Sequence, residues 1–294
     1  MASFAPVLLE RLREEFFTEA KSHFGQGGFP LFRHAVAPFS GGSDHFILSD
    51  PLVGICTPMI IQWPDKFYHT TADTPDKVSP ESLGRAAALA AAYAYWLACA
   101  GENQAEWLGR EMNCRFKQQV LKEVQNALTQ TASEEAKAKN PGPKLAFQLE
   151  RHQSALGSLV RLGKLETNGF KKEAEVFLKN ELSMHEGRFS KAGPQDPGLA
   201  PEKDRRVPRR VRSFPTSLRV YVRKLTLEQR DAFWTFDKDE SGHTLQTIAL
   251  YWADGKRSLA EIADCVEWET GVRRPAMLAE YFEWMEKMGL VEFL

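Results

Sequence analysis

One segment limits what this chain can build more than any other. "KAGPQDPGLAPEKDRRVPRRVR", residues 191–212, holds several prolines and glycines and no apolar period. Proline removes a backbone donor and fixes φ, and glycine weakens regular structure, so a continuous helix or strand through this stretch is not expected. It reads as a linker, and the 294-residue chain should fold as separate parts on either side of it.

Upstream the pattern is mixed. Pro6 to Phe24 carries Leu8, Leu9, Leu12, Phe16 and Phe17 at helical spacing, and "GQGGFP" stops that helix. "LFRHAVAPF" reads as extended. "TPMIIQW", Thr57 to Trp63, is a brief apolar run bounded by turn residues, which predicts a fully buried strand. "SPESLGRAAALAAAYAYWLACAG" predicts a helix with clear punctuation: Ser79 as N-cap, Pro80 at the first position, Glu81 where the dipole favours an acid, and Gly101 at the close. Its small residues suit close packing on a sheet. Asn103 to Leu182 has apolar residues at three- and four-residue spacing and a break at "NPGP", which predicts two or three helices in a hairpin or small bundle.

Beyond the linker, "SLRVYVRKL" reads as a strand. "TLQTIALYWADG", "SLAEIADCVEWETG" and "RPAMLAEYFEWMEKMG" read as three helices, and "LVEFL" as a terminal strand. Three short helices followed by a strand give the outline of a winged helix. The expected organisation is an α/β portion over 1–102, a helical region over 103–189, a Pro/Arg-rich linker over 190–213 and a winged-helix-like module over 214–294.

Charge narrows the function classes. With 38 basic and 39 acidic residues, bulk electrostatics favours neither nucleic acid nor membrane. From Ser258 to Leu294 there are eight acidic residues and three basic ones, a balance that repels phosphates, so no nucleic-acid-binding residues are expected and DNA is not the expected partner. "RRVPRRVR" reads as a solvated linker. No apolar run reaches the ~18 residues a membrane helix needs, and the start of the chain lacks a basic n-region. Cys56, Cys99, Cys114 and Cys265 show no C-x-x-C spacing, so free thiols in the reducing cytoplasm are expected. "DKDESGHTLQTI" matches a calcium loop at Asp237, Asp239, Ser241 and Gly242, but Ile248 stands where the bidentate glutamate belongs, so it reads as a turn and N-cap.

Two stretches carry candidate chemistry. "WPDKFYHTTADTPDKVSP" sets His69 between an aromatic residue and two threonines, after the predicted strand, where open α/β sheets place ligand sites. Asp73 follows four residues on, and a carboxylate beside a ligating imidazole fixes its tautomer. "GGSDHF", Gly41 to Phe46, offers two glycines for close backbone approach and then Ser43, Asp44 and His45. Ser43 or Asp44 would equally cap a short helix.

Together, "GGSDHF", "GICTPMIIQW", "YHTTADTPDKVSPESL" and the alanine-rich helix, in this order over Phe24 to Ala100, resemble the closing part of a zinc aminopeptidase domain. The family is metallopeptidase family 28, which includes bacterial leucyl aminopeptidases and is related to glutaminyl cyclases. The whole chain is similar in arrangement to a bacterial aminopeptidase-like subgroup with a C-terminal winged helix. The resemblance implies a partial aminopeptidase-type α/β fold, zinc as cofactor, a peptide substrate and removal of N-terminal residues. It places His69 as a zinc ligand, Asp44 and His45 as groups beside the metal or substrate, and Tyr68, Thr70 and Asp73 as residues that shape the ligand loop. The family's first histidine, bridging aspartate, glutamate pair and further acidic ligand lie upstream of the "S-D-H" segment. Glu14 and Glu15, on an amphipathic helix, do not replace that pair, so the catalytic base has no counterpart here. This chain is therefore expected to be the C-terminal portion of such a protein, catalytically incomplete by itself. The alternative is a non-catalytic protein that binds a protein partner through its acidic winged-helix module. Apolar faces left open on the strand and the alanine-rich helix would invite a partner or a second copy.

Overall fold

A computed structural model describes residues 2–17, 19–25, 28–30, 32–129, 140–189, 204–211 and 218–294. In chain order the first half holds α1 (Ala5–Phe16), β1 (Glu19–Lys21), β2 (Gly28–Pro30), α2 (Asp44–Leu48), α3 (Pro80–Cys99), α4 (Glu102–Thr129), α5 (Gly142–Gly157) and α6 (Asn168–Met184). The second half holds β3 (Pro208–Arg210), α7 (Leu218–Tyr221), α8 (Leu227–Asp237), α9 (Glu240–Trp252), α10 (Leu259–Thr270), α11 (Pro275–Lys287) and β4 (Val291–Phe293). Two compact units result. One contains Ala2–Ala35 and Pro58 to Phe189; the other contains Val36–Thr57 and the described residues from Asp204 to Leu294.

The first unit is helical. Ala105, Leu108, Met112, Phe116, Val120 and Val124 recur every three or four residues along α4 and are all buried, so one stripe of this long helix faces its neighbours. Phe116, Val120 and Val124 pack with Leu145 of α5, Ala174 and Leu178 of α6, and Phe189. α1 lies against α3 and α4 and buries Leu8 completely. The "NPGP" break falls where expected, with α5 starting at Gly142.

The expected α/β character does not appear. The described residues are mostly helical, and their strands form only two two-stranded antiparallel sheets, β1–β2 and β3–β4. "TPMIIQW" is not a buried strand: Met59, Ile60, Ile61 and Trp63 are 42–65% exposed in irregular extended chain. A strand is stable only when a neighbour takes up its N–H and C=O groups, and no strand lies beside this one among the described residues. α3 begins as expected, with the Ser79 hydroxyl accepting from Ser82 N–H at 3.3 Å. It packs on α1 rather than on a sheet, and Leu89 is its one buried residue. α1 ends at Phe16, short of the expected Phe24, as the chain turns into β1.

The second unit has its own core. Phe233 of α8, Leu245 and Ile248 of α9, Ile262 and Val266 of α10, and Leu278, Phe282 and Met285 of α11 converge there. Thr226 with Gln229 and Ser258 with Glu261 form capping boxes for α8 and α10, and Gly271 ends α10 at φ 77°. The three helices and terminal strand predicted near the C-terminus are α9, α10, α11 and β4. "SLRVYVRKL" is helical where a strand was expected: α7 and a 3₁₀ turn over Val222–Lys224. Leu218, Tyr221, Val222 and Leu225 fall at i, i+3, i+4 and i+7 and pack on the core, so helical period outweighs the β-branched valines. Part of the expected linker, Asp204 to Val211, is structured. β3 pairs with β4 on one side and bridges Asp254 through Arg209 on the other. The remaining linker positions, 190–203 and 212–213, lie outside the described residues.

Candidate metal-ligand loop

The segment from Trp63 to Ser79 is built of successive turns. Asp65 Oδ1 accepts from Phe67 N–H at 2.8 Å, and Thr70 N–H and Oγ1 both donate to Phe67 C=O, at 3.0 and 2.7 Å. Thr70 Oγ1 then accepts from Ala72 N–H at 3.3 Å, and Asp73 N–H donates to Thr70 C=O at 3.2 Å. Asp, Asn, Ser and Thr side chains that bond the backbone one or two residues on are what make such a stretch a turn rather than a helix or strand.

His69 sits inside this turn at φ 59°, the sole non-glycine residue at positive φ among those described. A β-carbon at that φ crowds the carbonyl, so the neighbouring hydrogen bonds must hold the residue there. Its ring stacks on Tyr68 with centroids 3.8 Å apart, and Tyr68 meets Trp63 edge-on at 5.6 Å. The imidazole is exposed to solvent. No hydrogen bond or ion pair joins Asp73 to His69, so the expected orienting carboxylate is not in place. Asp76 instead hydrogen-bonds Thr74 and pairs with Lys77, and the Lys77 bond, with that from Thr74, holds its carboxyl below the usual range.

Asp44 and His45 belong to the other unit. Ser43 occupies the N-cap of α2, and Asp44 opens the helix, exposed. His45 is buried: Nε2 donates to Ser40 C=O at 2.6 Å, the ring meets Phe39 edge-on, and Nδ1 is buried without a partner. Among the described residues no group of three or more His, Cys, Asp or Glu side chains is gathered as a metal site. Glu14 pairs with Arg115 across α1 and α4, as a structural ion pair would. The calcium-like stretch is the α8–α9 junction, where Asp237 faces His243 at 3.3 Å. All four cysteines are free thiols, and no described helix is long and apolar enough to cross a membrane.

Two polar clusters escaped the sequence reading. In the helical unit Asn113 joins His152 and Glu173; in the other unit Asp50 pairs with Arg210 beside Tyr251. Their directly bonded side-chain pairs stand 39 to 160 residues apart, so no motif of local spacing could announce them. No protein-family model, curated protein or solved structure matches this chain.

Proposed function

We propose that the Trp63–Ser79 loop contributes one zinc ligand, His69, to an aminopeptidase-type metallopeptidase centre acting on the N-terminal residue of a peptide. The carrying observation is His69 itself: an exposed imidazole held at left-handed φ by a run of side-chain-to-backbone bonds and stacked on Tyr68. Such backbone outliers cluster at ligand sites because the strain is retained only where the geometry is needed. A catalytic zinc requires three protein ligands and an open position. The described residues supply one, so they do not by themselves fit the metal. The centre would need groups beyond this loop, and no step of a reaction can be derived from the residues described. A cytoplasmic setting suits the four thiols.

Zinc titration of the purified chain followed by inductively coupled plasma mass spectrometry tests this, beside His69→Ala and an aminoacyl-anilide assay. Zinc uptake that falls at least about tenfold in affinity in His69→Ala supports the reading. Uptake indifferent to His69 removes it.

A second reading has its own observation. β3 lies between Asp254 and β4 beside α9–α11, an order that supports a winged-helix-like module with one strand taken from upstream. Tyr281, Phe282 and Trp284 of its last helix are buried, leaving Glu280 and Glu286 toward solvent. That supports a protein-binding role over DNA binding, and a gel shift sensitive to salt would reverse the preference.

A further inference from the structure

Residues 36–57 are held on the C-terminal unit by three anchors. The Asp50 carboxylate meets Arg210 in a two-pronged pair, with Arg210 Nη1 and Nη2 donating to Oδ1 and Oδ2 at 2.8 and 2.9 Å. Both side chains are below 10% exposed. Tyr251 Oη donates to the backbone C=O of Phe46 at 2.6 Å. The Phe39 ring packs on Tyr251 at 5.8 Å and reaches the edge of the core.

Among the described residues, regular structure and apolar burial add little to these anchors. The segment's regular structure is one five-residue helix. Val36, Ile47, Leu48, Leu52, Val53 and Ile55 are all exposed, so its apolar side chains contribute little burial. His45 Nδ1 is buried without a partner, which opposes docking. A buried ion pair loses in desolvation much of what it gains in attraction. Segments with few buried apolar contacts open locally at low free energy. The receiving face is of the other kind: Arg210 lies on β3, hydrogen-bonded to Ala253 C=O, and Tyr251 lies on α9 beside the packed core.

We propose that Arg210 and Tyr251 form a docking site for an aspartate-bearing peptide segment, which residues 39–50 fill in cis as an exchangeable strap. Arg210 reads the carboxylate by a planar bidentate pair, which lysine or a neutral donor cannot reproduce. Tyr251 reads one backbone carbonyl several residues before it, and its own ring seats an aromatic side chain. An acidic peptide with an aromatic residue upstream of its aspartate would take the same three positions. This inference does not depend on zinc or on His69.

The test uses the full chain and a fluorescein-labelled synthetic peptide of residues 36–57. Asp50→Ala frees the site, and anisotropy should show peptide binding at least about tenfold tighter than to the unsubstituted chain, whose own strap competes. A peptide carrying Asp50→Asn should bind at least about tenfold more weakly, and Arg210→Lys in the Asp50→Ala background should lose most of the affinity. Equal binding of the two peptides, or none to a folded Asp50→Ala chain, overturns the proposal. Should Asp50→Ala fail to fold, hydrogen exchange on the unsubstituted chain decides. Amides of Ser49 to Gly54 exchanging at least about tenfold faster than those of α9 to α11 uphold an exchangeable strap. Exchange as slow as in those helices makes the segment part of the core and overturns it.

Discussion

Asn113 uses its whole side chain. Nδ2 donates to Phe170 C=O at 3.1 Å and to Glu173 Oε2 at 2.8 Å, while Oδ1 accepts from His152 Nε2 at 2.8 Å. His152 stacks on Phe116 at 4.4 Å, nearly parallel. Its Nε2 proton is committed to Asn113, and burial lowers its pKa from 6.5 to about 4. In that window the unfolded chain binds a proton that the folded chain refuses. Stability is therefore full above the unfolded value and falls as pH drops toward 4, by about 1.4 kcal/mol per pH unit at most. Urea unfolding at pH 4.5 and 6.5 should show that loss in the natural chain and a flatter response in His152→Gln, which keeps a donor but cannot titrate. His69 makes the contrasting case. A single residue in a turn-rich stretch could be picked out from its neighbours, but its left-handed backbone and its distance from any Asp73 bond could not. Those depend on how the turns close.

At the scale of elements, punctuation was legible and environment was not. Ser79, Pro80 and the "NPGP" break lie where their chemistry requires, because caps and breakers act within a few residues. The 218–225 segment shows what misleads: valine content suggests a strand, while the four residues that reach the core are helically spaced. Gly163 marks a closer constraint. It follows the 3₁₀ turn Ser158–Arg161 and passes the α3–α4 corner so tightly that a β-carbon there would stand 2.8 Å from the Glu102 backbone nitrogen. Backbone cannot yield as a side chain tip can. Gly163→Ala should therefore lower stability by about 1–3 kcal/mol, read as a lower denaturant midpoint with unchanged slope. No sequence rule separates this glycine from a dispensable one.

At the scale of the whole molecule, each unit has a core of its own, and apolar side chains stay exposed on the helical unit. Ile60, Ile61, Leu83 and Tyr95 are 46–73% exposed along the 58–63 segment and α3. Exposed apolar patches of this kind drive association, and charge blunts them at no cost to a core they do not enter. The double variant Ile61→Lys with Leu83→Lys should lower concentration-dependent light scattering and keep the melting temperature within about 2 °C. Unchanged scattering would mean that the surface is not adhesive.

What the sequence determined alone is what short range controls: where helices start and stop, that the later chain is helical, and that the 63–80 stretch turns repeatedly. Capping bonds, proline sterics and side-chain-to-backbone bonds act over a few residues and are written locally. What only the tertiary structure decided are the partners. "TPMIIQW" has the composition of a buried strand and no strand beside it. "GGSDHF" sits with the C-terminal unit instead of sharing a unit with the His69 loop. Asp50 finds Arg210 160 residues away. Burial and long-range pairing depend on which surfaces the folded chain brings together, and local spacing carries no record of that.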